Sequence, residues 1–285
     1  QTPAVSAMIP QIVPQDKLMR VNGLNGTINS LTMLVAPAVS GAILSLAGLQ
    51  VAFLIDVATA AVAVFIMSRI KVQKVTRTDD EKLAGALDDL VSGIRYTFHH
   101  AFLRTFLCFY AALMFLVTPA ALLTPLLTTR SFGEEVWRLT ANEMVWSFGT
   151  VIGGVLIASW GGLKNRIHTI VLGTVLFGLF TMAMGFSGFF VLYLVFLFVA
   201  GLSMPLISSP GVVVLQETTE PEMQGRVFGL VQIISSSAIP LGMVVFGPLA
   251  DVAKVEWLLV ITGVLIAALA IGMLFHKNIR SFKVT

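Results

Sequence analysis

The sequence predicts an all-α protein, a polytopic bundle of membrane-spanning helices, and three observations carry that expectation. Of 285 residues, 56% are hydrophobic and only 12% are charged, about half the charged share of a soluble globular chain. The mean hydropathy is +0.91, more apolar surface than one water-surrounded core of this size hides. The apolar residues fall in runs of the length that crosses a bilayer, about 20 residues each. The cationic residues fall between those runs, and mostly on one side of the membrane.

Eight spans are predicted in order, at 24–46, 51–68, 103–127, 143–160, 169–187, 189–215, 228–249 and 257–275. Several contain Pro or Gly, which membrane helices tolerate where neighbours satisfy the freed backbone groups. An even number of spans puts both chain ends on one side. Of 18 Lys and Arg residues, only Arg130, Arg138 and Lys254 fall in the opposite set of loops. The positive-inside rule then places both ends and the long 71–102 loop in the cytoplasm. Within that loop, Leu83, Leu87, Leu90, Val91, Ile94 and Phe98 recur at helical spacing among charged residues, which reads as an amphipathic helix on the membrane surface.

Several functions are excluded on composition and motif. The formal charge is +3, but no basic stripe interleaves with exposed aromatics, so nucleic acid is not an expected partner. Cys108 is the single cysteine, reads as a small apolar residue in a span, and has no disulfide partner within the chain. His99, His100, His168 and His276 stand in loops or at helix ends without metal-ligand spacing. No phosphate-cradling P-loop is present. No enzyme activity, metal or cofactor is expected.

The most informative pattern is an internal repeat. Pro3 and Pro14 stand eleven positions apart, as do Pro210 and Pro221, and an acidic residue follows, Asp16 or Glu222. Then come Arg20-Val21-Asn22-Gly23-Leu24 and Arg226-Val227-Phe228-Gly229-Leu230, 206 positions apart, each entering a long apolar run. Both copies fall on the same side of the membrane, so the repeat is parallel, and parallel repeats of helices are a transporter architecture. By this register residues 1–9 correspond to the end of a helix. The expectation is a fragment, opening on Gln1 rather than Met, with about four helices preceding it.

On these residues the chain resembles the major facilitator superfamily, and more narrowly its bacterial drug-exporter branch, which includes macrolide efflux proteins and the enterobactin exporter. Residues 3–22 are similar to the loop between that branch's fourth and fifth helices. Ala36-Pro37-Ala38-Val39-Ser40-Gly41 resembles the fifth-helix antiporter motif, with Ala36 and Ser40 at two of its glycine positions. Phe53-Leu54-Ile55-Asp56 looks like the start of helix six, Ser92-Gly93-Ile94-Arg95-Tyr96 like the linker into helix seven, and Gly225-Arg226-Val227-Phe228-Gly229 like the entry to helix eleven. Gly161-Gly162-Leu163-Lys164-Asn165-Arg166 resembles a degraded copy of the cytoplasmic gating motif, with Asn165 where an Asp is expected.

The resemblance implies about eight of twelve helices in parallel six-helix halves. Residues 1–70 would be the remainder of the N-terminal half (the end of helix four, then helices five and six), 71–102 a cytoplasmic linker and 103–285 the C-terminal half. It implies a monomeric secondary transporter in the bacterial inner membrane, exporting small amphipathic molecules by proton antiport; a dedicated siderophore or metabolite exporter is the alternative. Its partners would be a small-molecule substrate, the lipid bilayer and protons, with no cofactor. A non-transporting scaffold is the remaining reading.

Candidate residues follow from polarity within the spans. Asn22, Asn25, Asn29 and Thr32 share one helix face, and the repeat sets Gln232 and Ser235 opposite Gly26 and Asn29. Asn25, Asn29, Gln232 and Ser235 read either as lining of a substrate path or as helix–helix hydrogen bonds, worth about 0.6–2 kcal/mol each. Thr118 and Thr124 lie in a proline-containing span whose family counterpart lines the cavity, or else their hydroxyls patch carbonyls freed by proline. Arg20 and Arg226, with Asn165 and Arg166, are gate candidates. The arginines could bond helix-end carbonyls or an acid such as Glu217 or Glu222, or simply orient the chain. Asp56 and Glu143 are the candidate proton-coupling carboxylates, both expected near the external ends of their helices.

Overall fold

The computed structural model of the protein describes residues 18–69 and 91–280. Within these helices the side chains of 18–31 and a few others lie outside the description. Among the described residues the chain is helical, without strands, and seven helices are long and apolar enough to cross a membrane. The chain forms two compact units, Gln1–Thr78 and Asp79–Thr285.

The first unit is carried by α1, Leu18–Arg69, whose helical path breaks at Gly48 (φ 77°, ψ 174°). That positive φ suits Gly, which has no Cβ to clash. The segments on either side, 18–47 and 49–69, are each about 30 Å or longer, enough to cross a hydrocarbon core. The two spans expected here are therefore one element interrupted at the point where the sequence places a connection. Most of the described side chains from Val51 to Ile66 are exposed and apolar.

Among the described residues the second unit begins with helical residues 91–99, here α2. The amphipathic stretch expected at 83–98 overlaps α2 only from Val91, and its earlier part lies outside the described residues. Gly93 and Thr97 are buried. A Cβ on Gly93 would stand 3.1 Å from that of Arg226, so α2 crosses closely over the start of a later helix. The Tyr96 hydroxyl accepts the Glu220 N–H at 3.3 Å, fixing the same end.

Six long helices follow: α3 (Ala101–Leu127), extended by a π turn at Thr128–Phe132, α4 (Val136–Trp160), α5 (Arg166–Gly185), α6 (Phe190–Thr218), α7 (Pro221–Val252) and α8 (Val255–Phe275). A last turn, α9 (Lys277–Arg280), returns to α3. The main pairings run α4–α6–α5–α8–α3–α7, so α4 and α7 end the series with fewest partners. The ends are set locally. Gly161 takes a left-handed conformation and returns its N–H to Ile157 O at 2.8 Å. Asn165 caps α5 by accepting the Ile167 N–H at 2.9 Å. Pro221 opens α7, where the missing N–H costs nothing.

Backbones approach closely where side chains vanish. A Cβ on Gly178 of α5 would stand 2.7 Å from Gly263 O of α8, and one on Gly263 would stand 2.6 Å from Met182 N. Gly149 and Gly153 of α4 and Gly201 of α6 form a second such crossing. Without a hydrophobic drive between helices in lipid, close contact through small residues holds the bundle. The polarity of the unit is that of a membrane protein. Thr169, Thr174, Thr181, Ser203 and Thr262 are buried, while Val155, Val244 and Phe275 are exposed.

One boundary matters for function. The sequence starts the fourth span at Glu143, but α4 begins at Val136. Glu143 is thus about two turns inside the helix rather than at its end. The early start tolerates Arg138 because its guanidinium lies 4.9 Å from the Trp137 ring and 5.2 Å from the Phe190 ring, with Glu135 bonded to it at 2.7 Å.

Candidate functional site

The six-helix unit encloses a polar cavity of about 150 Å³, lined by Thr124 of α3, Asn142, Glu143 and Trp146 of α4, Phe177 of α5 and Leu197 of α6. The α4–α6 glycine crossing brings these walls together. Trp146 sets its ring edge-on to Phe177, with centroids 6.3 Å apart. Asn142 is 3% exposed, and Tyr193 of α6 is fully buried beside it. The Tyr193 hydroxyl faces the side chains of Thr128, Asn142 and Thr124. Neither it nor Asn142 Oδ1 completes a well-formed hydrogen bond with a protein group. A buried unsatisfied polar group costs about 1–3 kcal/mol. Both atoms are sealed from solvent, and Tyr193 lies behind Asn142 rather than on the cavity wall; the cavity itself is large enough to admit water or a small polar group. Beyond Asn142, the rings of Phe132 and Phe190 pack 5.2 Å and 6.1 Å from the Tyr193 ring.

A second polar set joins α3 to α7. The Tyr110 hydroxyl and Ser235 Oγ are 2.8 Å apart, and Ser235 also donates to Val231 O at 2.9 Å. Thr118 donates to Met114 O at 3.1 Å and across to Ala238 O at 3.3 Å, packed where Gly242 has no side chain. Thr118 does not reach Phe115 O, the carbonyl that Pro119 frees, so its hydroxyl acts between helices. Gln232 is exposed and donates to Ser236 at 3.1 Å.

The third set stands at the opposite end of α4. Arg166, which opens α5, ion-pairs with Glu217 near the end of α6, Nη1 to Oε1 2.5 Å. Thr169 Oγ1 accepts the Leu163 N–H at 2.9 Å, which with the Asn165 cap fixes the turn that aims Arg166.

The sequence-predicted residues thus separate. Thr124 and Glu143 meet at the cavity. Thr118 and Ser235 meet at the α3–α7 contact. Asn165 is a helix cap, and Arg166 holds Glu217, one of the acids suggested as a partner for Arg20 or Arg226. Arg226 is exposed, with Nη1 3.4 Å from Met223 Sδ. Asp56 is exposed on α1. Arg20, Asn25 and Asn29 belong to α1, but their side chains lie outside the described residues. Sequence reasoning missed Asn142, Tyr193 and Trp146. The signal available was Asn142 beside Glu143 within an apolar run, which was obscured by reading Glu143 as a helix start.

Glycine-packed helices around a cavity that carries polar side chains inside an apolar bundle are the architecture of a polytopic membrane transporter. The sequence profile of the Major Facilitator Superfamily matches residues 1–164 and again 137–282. The chain belongs to that superfamily, a family of multi-pass membrane transporters rather than of enzymes. It is similar to Macrolide efflux protein A of Streptococcus pyogenes, 28% identical over 98% of this chain and 69% of the relative. The protein of that name from Enterococcus faecalis is 28% identical over 85% of this chain and 76% of its own. An uncharacterised MFS-type transporter of Bacillus subtilis is 24% identical over 97% and 68%.

Proposed function

We propose that this chain is part of a secondary active exporter of small amphipathic molecules, coupled to proton antiport and working by alternating access in the bacterial inner membrane. The observation that carries the reading is the cavity in which Asn142, Glu143 and Thr124 converge within an otherwise apolar half. Intramembrane polar and ionisable side chains are costly and mark pathways. Glu143, exposed two turns inside α4 and bordering the cavity, is our first candidate for proton coupling, and Asp56 is the second. Asn142 and Thr124 supply hydrogen bonds to a passing polar group, while Trp146, Phe177 and Leu197 supply apolar contact. Arg166 and Glu217 form a latch that holds α5 and α6 together at the end the positive-inside count assigns to the cytoplasm. The likeness to two macrolide efflux proteins supports export and an amphipathic cargo.

The test is accumulation of fluorescent dyes and macrolides in cells with the complete gene intact or disrupted, each with and without a protonophore. Disruption should raise accumulation of several compounds, and the protonophore should erase the difference. A panel with no response would exclude broad drug export and turn the search to secreted siderophores and metabolites.

A further inference from the structure

The cation-rich end of the six-helix unit carries a feature that transport does not use. Arg104 stands on the first turn of α3 and Cys108 one turn deeper, both exposed. Together they form a ridge with a groove on each side. The larger groove, about 500 Å³, runs between α3 and α8, past His276 and Asn278 and down over Gly272 and Leu269. The smaller, about 190 Å³, runs between α3 and α7 over Leu107, Leu230 and Ile234, and its lining exposes no polar surface. Phe98, Arg104 and Cys108 border both.

The chemistry changes along the larger groove from the helix end inward, while the smaller is apolar throughout. At the mouth stand Arg104, His276 and the amide of Asn278, whose Nδ2 donates to Ala101 O at 3.3 Å and Thr105 Oγ1 at 3.0 Å. That pair of bonds ties α9 to α3 and fixes the mouth. Among the described residues no carboxylate lines either groove or pairs with Arg104. The positive end of the α3 helix dipole faces the same place. Below the mouth the walls are apolar, and Gly272 leaves the floor of the larger groove open, since a Cβ there would meet nothing within 4 Å.

We propose that this ridge and its two grooves bind one anionic diacyl phospholipid. Its phosphate sits against Arg104 and His276, and one acyl chain lies in each groove, astride Cys108. One charged mouth on the larger groove, with a wholly apolar groove just across the Arg104–Cys108 ridge, matches a molecule with one anionic head and two tails. Basic pockets at the ends of transmembrane helices are the membrane-protein form of phosphate recognition. The site lies at a bilayer interface whichever way the chain is oriented, and the positive-inside count puts it in the leaflet rich in anionic lipid.

Cys108 is a built-in reporter. The full chain is purified and reconstituted in vesicles of phosphatidylcholine alone or of phosphatidylcholine with phosphatidylglycerol, and its alkylation by N-ethylmaleimide is timed. The expected result is several-fold slower alkylation with phosphatidylglycerol. Arg104→Gln should abolish the slowing by removing the phosphate contact. Gly272→Leu should abolish it by filling the groove, since the Cβ it adds enters open space. Inorganic phosphate added to phosphatidylcholine vesicles should leave the rate unchanged; protection by phosphate alone would show a free-anion site and overturn the lipid assignment. A Cys108→Ser, Gly188→Cys variant, reporting from the α5–α6 loop, should show no comparable slowing, and equal slowing there would reduce the effect to surface charge and overturn the proposal. Equal rates in the two vesicle types, or protection that persists in both variants, would overturn it as well.

Discussion

The carboxylate of Glu217, near the end of α6, meets the guanidinium of Arg166, at the start of α5, at 2.5 Å. Two helix ends from consecutive elements are thereby tied on the side where the α4–α5 turn is tightest. The side chains are 33% and 40% exposed, so water screens the pair and its static contribution is modest. A double-mutant cycle on thermal unfolding in detergent should give a coupling of about 0.5–1 kcal/mol. Arg166→Gln and Glu217→Gln should each slow transport more than they lower stability. The charge-swapped pair, Arg166→Glu with Glu217→Arg, should recover part of the lost rate. Full activity in either single variant would remove the latch from the mechanism.

The α5–α8 crossing rests on the absence of two side chains. A Cβ on Gly263 would fall 2.5 Å from Gly178 O and 2.6 Å from Met182 N, and backbone atoms there have nowhere to go. Gly263→Val should destabilise the unit by about 3 kcal/mol, at the upper end of overpacking costs. Gly272→Ala, on the same helix but facing open space, should leave the melting temperature unchanged or slightly raised. Size-exclusion profiles and thermal melts of the two variants compare the effects directly. Equal effects would mean that helix propensity rather than close approach sets the glycine requirement.

Asn142 separates stability from function. Its side-chain oxygen is buried without a well-formed protein partner. Asn142→Leu should therefore leave thermal stability within about 1 kcal/mol of the parent, because it removes an unsatisfied group rather than a bond. In the complete transporter the same substitution should cut efflux strongly. Glu143→Gln should remove the protonophore-sensitive part of efflux while leaving the protein folded. If Asn142→Leu lowers stability sharply and efflux only in proportion, the cavity is structural. If Glu143→Gln keeps protonophore sensitivity, coupling belongs to another carboxylate.

The fold was legible because lipid imposes simple rules. Apolar runs, cationic loops and the Arg20/Arg226 repeat all come from the sequence alone, and α5, α6 and α8 begin and end within a few residues of the runs that predict them. The errors share a physical origin. Arg138 looks like a residue that must lie outside the membrane, yet two aromatic rings and Glu135 accommodate it inside α4, which shifted Glu143 inward. Gln232 and Thr118 look alike on a list of polar residues within spans. Which of them stays exposed and which bonds a neighbouring backbone depends on a helix crossing set by Gly242, and helix periodicity does not encode that. Tyr193 was invisible for the same reason: an aromatic in an apolar run shows no sign that its hydroxyl is sealed in beside Asn142.

Arg138 and Glu135 should respond differently to substitution. The bond from Arg138, its largest cause, holds the Glu135 carboxyl below its usual value of 4.5. A depressed folded-state value means that the stabilisation is present above the unfolded carboxylate's range and is lost as pH falls through the lower folded value. Melting temperature should therefore fall only slightly on the acid side of pH 4.5, and Glu135→Gln should remove that limb with an equally slight loss at neutral pH, since the carboxylate is open to water. Arg138→Gln removes more than an ion pair. It also loses contact with the Trp137 and Phe190 rings, worth about 0.5–1 kcal/mol each at such sites, and exposes the aromatic closure over Tyr193. Arg138→Gln should therefore lower the melting temperature at neutral pH more than Glu135→Gln does. Matching effects of the two substitutions at neutral pH would show that the carboxylate, rather than the rings, holds Arg138 at the head of α4.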